Sequence, residues 1–176
     1  MTELDERSFI SLSDSITRPA NATQYAALDV ISEVTTNDHF TLGKDGKAIT
    51  FPSVGQGGII TGARLLSSQA HATVLPDIDV WLFHTDIAEV ADNAAFAPTD
   101  AEMATLLTIL EFSSWVKGTV TAGADGNSIS VLNDQNKSFI LESHEFMYGQ
   151  MVVQNTYTPV ASEIFTISLD ITRFGH

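Results

Sequence analysis

The chain of 176 residues contains no cysteine. This absence excludes disulfide bonds, thiol catalysis and thiolate metal sites, and it leaves the redox compartment undecided. Basic residues are also scarce, with 8 Lys and Arg against 22 Asp and Glu, which gives a formal net charge of -14. Because direct nucleic-acid binding needs clustered Lys and Arg to neutralise phosphates, the composition argues against a nucleic-acid partner.

Long apolar segments are missing as well. No run approaches the ~20 apolar residues that a bilayer span needs, and the first residues are charged where a signal peptide would be apolar. We therefore expect a soluble protein that is made in the cytosol and has no membrane partner. The hydrophobic content of 44% is typical of globular proteins. Residues 1–8 are polar, so we expect them to form a flexible arm. The length of the chain predicts a single domain over residues 9–176.

What the chain does have is a regular succession of short strand patterns. Residues 163–174 alternate strictly between apolar and polar side chains, which is typical of a strand with one buried face. Residues 78–85 carry bulky side chains on both faces, so we expect a central strand that is covered on both sides. The pairs Asp45-Gly46 and Asp125-Gly126 predict hairpin turns. Residues 133–136 are expected to separate two strands.

One segment favours a helix. Thr99 and Glu102 match a capping box, and apolar residues follow at helical spacing, namely Met103, Leu106, Leu107 and Leu110. About eight to ten strands and one short helix near residues 99–107 predict an all-β fold. The expected architecture is an antiparallel β-sandwich or a jelly roll.

The residue types that carry catalysis or bind metals show no convincing pattern. The histidines lie far apart and lack metal-site spacing; they are His39, His71, His84, His144 and His176. Acidic residues crowd one segment, but the EF-hand pattern is missing; they are Asp77, Asp79, Asp86, Glu89, Asp92, Asp100 and Glu102. The nucleophile elbow Gly-x-Ser-x-Gly is absent. We predict no catalytic residues, no metal, no cofactor and no enzymatic activity.

The aromatic residues leave two interpretations open. Packing in the core is the simpler explanation for Tyr25, Trp81, Trp115, Tyr148 and Tyr157. The alternative is that some of them are exposed and either anchor a protein interface or stack on a sugar.

The stretch from Ile16 to Ile31 carries the most distinctive motif, Ile-Thr-Arg-Pro-Ala-Asn-x-Thr-x-Tyr-x-x-x-Asp-Val-Ile. It resembles the opening of a group of β-rich virion proteins of tailed bacteriophages, some of which are similar to capsid decoration (cement) proteins. The later course of the chain is similar in outline up to Phe174. Arg18, a basic residue in a very acidic chain, is expected to hold a carboxylate, either within the domain or on a neighbour.

The resemblance implies a function on the virion. It implies a cement protein, commonly a homotrimer, that binds the outer surface of the capsid and stabilises contacts between subunits of the major capsid protein. The alternative is a carbohydrate- or receptor-binding β-sandwich of a phage tail or fibre. The residues that we expect to contact another subunit or the capsid are Leu4, Arg7, Phe9, Arg18 and Tyr25.

Overall fold

Ten β-strands and one short helix form the regular structure of this computed structural model, which describes residues 9–33, 39–42, 57–69, 76–117, 127–140 and 147–173. The elements are β1 Phe9–Thr17, β2 Val30–Ile31, β3 Phe40–Leu42, β4 Gly57–Ser67, β5 Ile78–Phe83, α1 Asp100–Met103, β6 Leu106–Phe112, β7 Trp115–Lys117, β8 Ser128–Ile140, β9 Met147–Val153 and β10 Ile164–Arg173. The predicted all-β fold with one short helix is confirmed. Among the described residues, no helix has the length and apolar character needed to cross a membrane.

The strands form two antiparallel sheets. The first sheet has the order β1-β10-β4-β8-β7, and the second has the order β2-β9-β5-β6, with β3 also paired to β9. Strands from the two ends of the chain pair in nested order: β1 with β10, β3 with β9, β4 with β8, and β5 with β6. Nested pairing across two sheets is the jelly-roll form of the β-sandwich.

The core lies between the two sheets, and β10 shows how the sequence builds it. The apolar residues of its alternating pattern, Phe165, Ile167, Leu169 and Ile171, have no exposed surface. They belong to one hydrophobic cluster that includes Val80 from the second sheet. The prediction of a strand with one buried and one polar face is therefore confirmed for β10.

Strand β5 is central in the second sheet and is covered on both sides. Val80 and Leu82 are fully buried in the core cluster. Trp81 points the other way and meets Phe96 edge-to-face, with ring centroids 5.4 Å apart and an interplanar angle of 73°. Phe96 belongs to the loop of residues 84–99, which thus contacts the outer face of this sheet, and Phe83 on the same face is fully buried. Both parts of the prediction for β5 are confirmed.

The helix is shorter than its apolar spacing predicts. The capping box is present: Thr99 accepts from the Glu102 amide, and the Glu102 side chain accepts from the Thr99 amide. However, α1 ends at Met103, and Leu106 already begins β6. Residues of β6 pair with β5 from Leu106 to Phe112, so pairing in the sheet overrides the local helical spacing.

The predicted break at residues 133–136 is a bulge inside one strand. Between Asn133 and Lys137, β8 contains two residues more than the facing stretch of β4, which runs from Ile60 to Gly62. Asp134 and Asn136 adopt positive φ angles of 53° and 47°, which Asp and Asn tolerate better than most residues. The predicted hairpin turns at 45–46 and 125–126 lie outside the described residues.

Candidate functional site

The most polar site in the interior is built around Arg18, at the turn that follows β1. Pro19 disfavours a helical conformation at the residue before it, and the Arg18 amide donates to the Glu163 carbonyl oxygen at 2.9 Å. The Arg18 side chain has no exposed surface. Its Nη2 donates to Asp92 Oδ2 at 3.1 Å, and its Nη1 donates to the Val160 carbonyl oxygen at 3.2 Å. Arg18 therefore holds a carboxylate of its own domain, one of the two expected arrangements.

Tyr25 connects the guanidinium to the same carboxylate. Its hydroxyl accepts from Arg18 Nε and donates to Asp92 Oδ1, the latter bond being 2.5 Å long. The Arg18 Cζ lies 4.8 Å from the centroid of the Tyr25 ring, and that ring stacks on Tyr157 with centroids 6.1 Å apart. Burial, together with the bond to Asp92, raises the pKa of Tyr25 above its usual value. The hydroxyl therefore remains protonated and acts as a donor.

A second buried carboxylate, Glu163, lies on the other side of the tyrosine stack. The Tyr157 hydroxyl donates to Glu163 Oε2, and Ser67 Oγ donates to Oε1 at 2.6 Å. The Val160 amide also donates to Oε2, at 3.3 Å. Burial and the Glu163 charge raise the pKa of Tyr157 above its usual value, so this hydroxyl also stays a donor.

These groups form a buried polar cluster, which consists of Arg18, Tyr25, Asp92, Tyr157 and Glu163. The cluster joins the turn after β1, the loop of residues 84–99 and the connection between β9 and β10. Arg18, Tyr25 and Glu163 have no exposed surface. Burial therefore removes Arg18 and Tyr25, two of the five predicted contact residues, from the surface that a partner can reach.

The other predicted contact residues are near the start of the chain. Phe9 is the first residue of β1 and is 63% exposed. It lies opposite Thr172 on the outer side of the first sheet. Leu4 and Arg7 lie outside the described residues. A contact role for Leu4, Arg7 and Phe9 stays a prediction.

The acidic segment, residues 76–114, contains eight Asp and Glu and no Lys or Arg. Protein groups occupy several of these carboxylates: Asp92 binds Arg18, Asp77 accepts from a side-chain amide, and Glu102 caps α1. Across the part of the chain that the structure describes, no group of three or more His, Asp and Glu side chains is placed to hold a metal ion. Structural roles therefore account for these three acids.

One pair of acids in this segment is held together by the sheet. Asp79 on β5 lies directly opposite Glu111 on β6, and like charges at opposed positions are unfavourable. Burial raises the pKa of Asp79 to about 6, with further contributions from the charges of Glu111 and Asp77. This carboxyl therefore takes up a proton well above its ordinary range.

Two histidines fall within the described residues. His84 follows β5, and its amide donates to the Thr105 carbonyl oxygen at 3.1 Å. His39 is buried beside β3, with its Nε2 3.2 Å from Asp86 Oδ1 and its ring 5.6 Å from that of Tyr148. Contacts with neighbouring segments therefore hold both residues. His71, His144 and His176 lie outside the described residues.

The aromatic residues provide little exposed ring surface. Tyr25 and Tyr157 are buried at 0% and 1% exposure. Trp115 is half-buried against the core, and its Nε1 donates to the Pro76 carbonyl oxygen at 2.7 Å. Trp81 is half-buried against Phe96. Core packing, the simpler of the two interpretations, is thus supported for the two tyrosines and for Trp115.

The outer face of the first sheet is open to solvent, and we call it the open face. Its register places side chains in rows across the strands. One row is Val116, Ile129, Leu66, Thr166 and Ser15, and the next is Val131, Arg64, Ser168 and Ser13. The half formed by β7, β8 and β4 is largely apolar, whereas the half formed by β10 and β1 is covered with hydroxyl groups. The open face therefore combines a hydrophobic patch (Leu66, Val116, Ile129 and Val131) with a hydroxyl-rich strip.

Sequence reasoning identified Arg18 but missed its partners. Asp92 is one of eight acids in its segment, and no local pattern distinguishes it from the others. Glu163 stands just before the alternating pattern of β10, where a carboxylate appears solvent-exposed from sequence alone. Only the three-dimensional pairing of Tyr25 with Tyr157 brings the two carboxylates to one cluster.

Comparison with known proteins adds no further constraint. No protein-family model matches this chain, and a search of curated proteins found no significant relative. The functional proposal therefore depends on the fold, the buried polar cluster, the open face and the resemblance of the Ile16–Ile31 motif.

Proposed function

We propose that this chain is a non-enzymatic structural protein of a tailed-phage virion. In this role it is a cement, or decoration, protein that binds the outer surface of the capsid and stabilises contacts between subunits of the major capsid protein. One observation carries the proposal: the charged groups Arg18 and Glu163 are fully buried, the side chain of Asp92 is only 7% exposed, and the three groups connect three segments of the chain. A fully bonded buried network of this kind stiffens a domain, and it is closed to a substrate.

The motif that carries the resemblance has structural roles throughout. Arg18 binds Asp92, the Asn21 side chain accepts from the Thr23 amide at 3.1 Å, and Asp29 Oδ2 accepts from the Ala26 amide at 2.6 Å. These bonds shape the turn between β1 and β2 and attach it to the loop of residues 84–99. The resemblance to phage virion proteins therefore concerns residues that stabilise the fold, which supports a shared domain type.

The proposed mechanism is mechanical. A cement protein must keep its shape while neighbouring capsid subunits are pushed apart by the packed genome. As a homotrimer it would present each contact three times, which raises the effective concentration of every further contact. Phe9 is exposed and continues into residues 1–8, so the contacts with the capsid are assigned to Phe9 and to the arm that contains Leu4 and Arg7.

A carbohydrate- or receptor-binding role on a tail or fibre has less support. It calls for an exposed aromatic platform near Trp81, Trp115 or Tyr157. Tyr157 is buried, Trp115 packs on the core, and Trp81 is half-covered by Phe96. No described aromatic residue among these three provides the flat, open ring that stacking on a sugar requires.

Co-sedimentation with capsids tests the proposal. The probe is an expanded, DNA-free shell of the major capsid protein of the phage that encodes this chain. We expect the purified chain to sediment with these shells and to raise the temperature at which they dissociate. Deletion of residues 1–8 or the change Phe9→Ser is expected to weaken binding. Leu28→Ser, which alters an exposed apolar residue elsewhere, is not.

Two outcomes of the co-sedimentation experiment would contradict the proposal or part of it. If the folded wild-type chain stays in the supernatant at every shell concentration, the cement role is wrong. If it binds shells but neither the deletion nor Phe9→Ser changes the affinity, the cement role stands and the contact has been assigned to the wrong residues.

A further inference from the structure

We infer that the open face of the first sheet packs against a second copy of this chain. The contact is centred on the hydrophobic patch near β7. Within the patch, Val116 is 67% exposed and Val131 is 44% exposed. Val116 lies opposite Ile129, which lies opposite Leu66, so three apolar side chains continue across three strands. A continuous apolar row on an exposed sheet marks an interaction surface.

The charge distribution selects another copy as the occupant. The two rows described above contain one charged side chain, Arg64. It pairs at 3.2 Å with Asp170, which lies in a third row beside them. These two charges cancel, and the remaining side chains of the rows are uncharged. Interfaces are depleted in charged residues at their centre. A second copy of this strongly acidic chain can therefore dock on this face without meeting an unpaired carboxylate in these rows.

The rest of the molecule would oppose such an approach. The strands of the first sheet hold four bases and three acids, a net charge of +1. Residues 76–114, which form β5, β6 and the covering loop, hold eight acids and no base. A contact through that side of two copies would place like charges together, at an energetic cost. Electrostatics therefore favours a contact that includes the first sheet.

The size of the open face suits a specific contact. Five strands at a spacing of about 4.8 Å, with a mean length of about nine residues and a rise of about 3.3 Å per residue, cover an area of about 700 Å². Specific interfaces bury about 600–1,000 Å² on each partner. The open face is therefore large enough for self-association, provided that the hydroxyl-rich strip takes part alongside the hydrophobic patch.

The proposed capsid contact at Phe9 lies at the far end of the same face. Phe9 stands at one end of β1, opposite Thr172, whereas the row with Val116 crosses β1 at Ser15. Six residues of strand separate these rows, which corresponds to about 20 Å. In the homotrimer proposed above, the open face of each copy would pack against a different surface of the next copy, because a contact between two open faces closes a dimer. To that extent the inference rests on the proposed function.

The test measures molar mass by light scattering during size-exclusion chromatography, over a wide range of protein concentration. The chain has a mass of 19.0 kDa, and we expect the wild type to elute at a multiple of it. Val131→Glu, which places a charge in the hydrophobic patch, is expected to elute as a single copy. The matched control is Met103→Glu, at an apolar site of similar exposure on the acidic side, and it is expected to keep the wild-type mass.

A second readout does not depend on the fold tolerating a charge in the patch. Because the chain has no cysteine, Val116→Cys and Met103→Cys each introduce a unique thiol at an exposed site. We expect the rate at which a maleimide reagent labels Cys at position 116 to fall several-fold from low to high protein concentration, and the rate for Cys at position 103 to stay unchanged.

Two results would overturn the inference. One is a wild-type chain that stays monomeric at every concentration. The other is Val131→Glu retaining the wild-type mass, with a labelling rate at position 116 that does not change with protein concentration. The experiment uses no capsid shell, so it separates the two proposals. A chain that binds shells as a monomer would contradict the self-association but not the cement role. A chain that self-associates but does not bind shells would contradict the cement role but not the self-association.

Discussion

The outer faces of the two sheets of this jelly roll differ in how far they are exposed to solvent. Residues on the outer side of the second sheet are covered by the chain itself: Val30, Phe83 and Val152 are fully buried although they lie outside the core cluster. The loop of residues 84–99 contacts this sheet through Phe96, which meets Trp81, and through backbone bonds to Val30. Within the described part of the chain no loop covers the first sheet in this way, and Val116 and Val131 are exposed. The difference shows that one face is buried by residues of its own chain, whereas the other is exposed to solvent.

Two Arg–Asp pairs of nearly equal length illustrate the same difference. Arg18 and Asp92 are 3.1 Å apart, with side chains exposed by 0% and 7%, and they fasten the covering loop. Arg64 and Asp170 are 3.2 Å apart, with side chains exposed by 45% and 27%, and they lie on the open face. Burial, rather than distance, decides how much each pair contributes to stability.

The largest effect is expected from breaking the buried pair. Arg18→Ala leaves Asp92 buried without its cation, and such a loss costs about 3–5 kcal/mol of unfolding free energy. Arg64→Ala is the matched control, with an expected loss below about 1 kcal/mol because water screens the exposed pair. Urea unfolding of both variants measures the difference. Equal losses would show that the covering loop does not depend on this anchor.

A smaller effect is expected when the cover itself is altered. Phe96→Ala removes a half-buried ring from Trp81, and the expected loss is about 2 kcal/mol, less than for a fully buried phenylalanine. In a Trp115→Phe background, the fluorescence of Trp81 should shift to longer wavelength and become easier to quench with acrylamide. Val116→Ala on the open face should change stability by no more than about 0.5 kcal/mol. Unchanged Trp81 fluorescence would mean that other residues of the loop provide the cover.

The acid pair on the second sheet gives a pH-dependent prediction. The pKa of Asp79 is raised in the folded state to about 6, so the folded protein binds more protons than the unfolded chain between about pH 4 and pH 6. The stabilisation from protonated Asp79 is complete below its unfolded pKa and is lost as the pH rises through about 6. Asp79→Asn should therefore stabilise the protein by about 1 kcal/mol at pH 7, after allowance for solvent screening, and by little at pH 4.

Urea unfolding at both pH values measures this dependence. Asp100→Asn is the control, because Asp100 is an exposed acid at the start of α1 and is not opposed by another carboxylate across a strand pair. A gain from Asp79→Asn that is the same at pH 4 and pH 7 would contradict the proposed cause.

The smallest effect is expected at the capping box. Thr99→Ala removes the acceptor for the Glu102 amide, and the loss of a cap of this kind costs about 0.5–1 kcal/mol. Thr99→Ser keeps the hydroxyl and should be close to neutral. Glu102 also accepts from the Ala88 amide at 2.7 Å, so Glu102→Ala should cost more than Thr99→Ala. The reverse order would show that the bond between α1 and the covering loop contributes little.

Much of the fold could be predicted because its signals are local. The alternation in β10, the bulk on both faces of β5 and the capping box at Thr99 each arise within a few residues. The short helix was overestimated because the spacing of Leu106, Leu107 and Leu110 suits a helix, and only the partner strand β5 decides otherwise.

The buried polar cluster and the covering loop could not be predicted in the same way. Asp92 is 74 residues from Arg18 in sequence, and an acid in an acidic segment gives no sign that it will be buried. The cover over Trp81 depends on the path of a loop that has no periodic pattern. The sequence does mark one member of the cluster, since Arg18 is a rare base followed by a proline.

The bulge in β8 affects how molecules of this protein contact one another at high density. Along this margin of the first sheet, β7 pairs with only Ser128 to Ser130 of β8, and a straight strand beyond that point would offer backbone groups to any extended peptide nearby. The two extra residues, with Asp134 and Asn136 in the left-handed region, bend the backbone and break the regular spacing of donors and acceptors. Molecules packed at high density can therefore meet through side chains without fusing their sheets into a fibril.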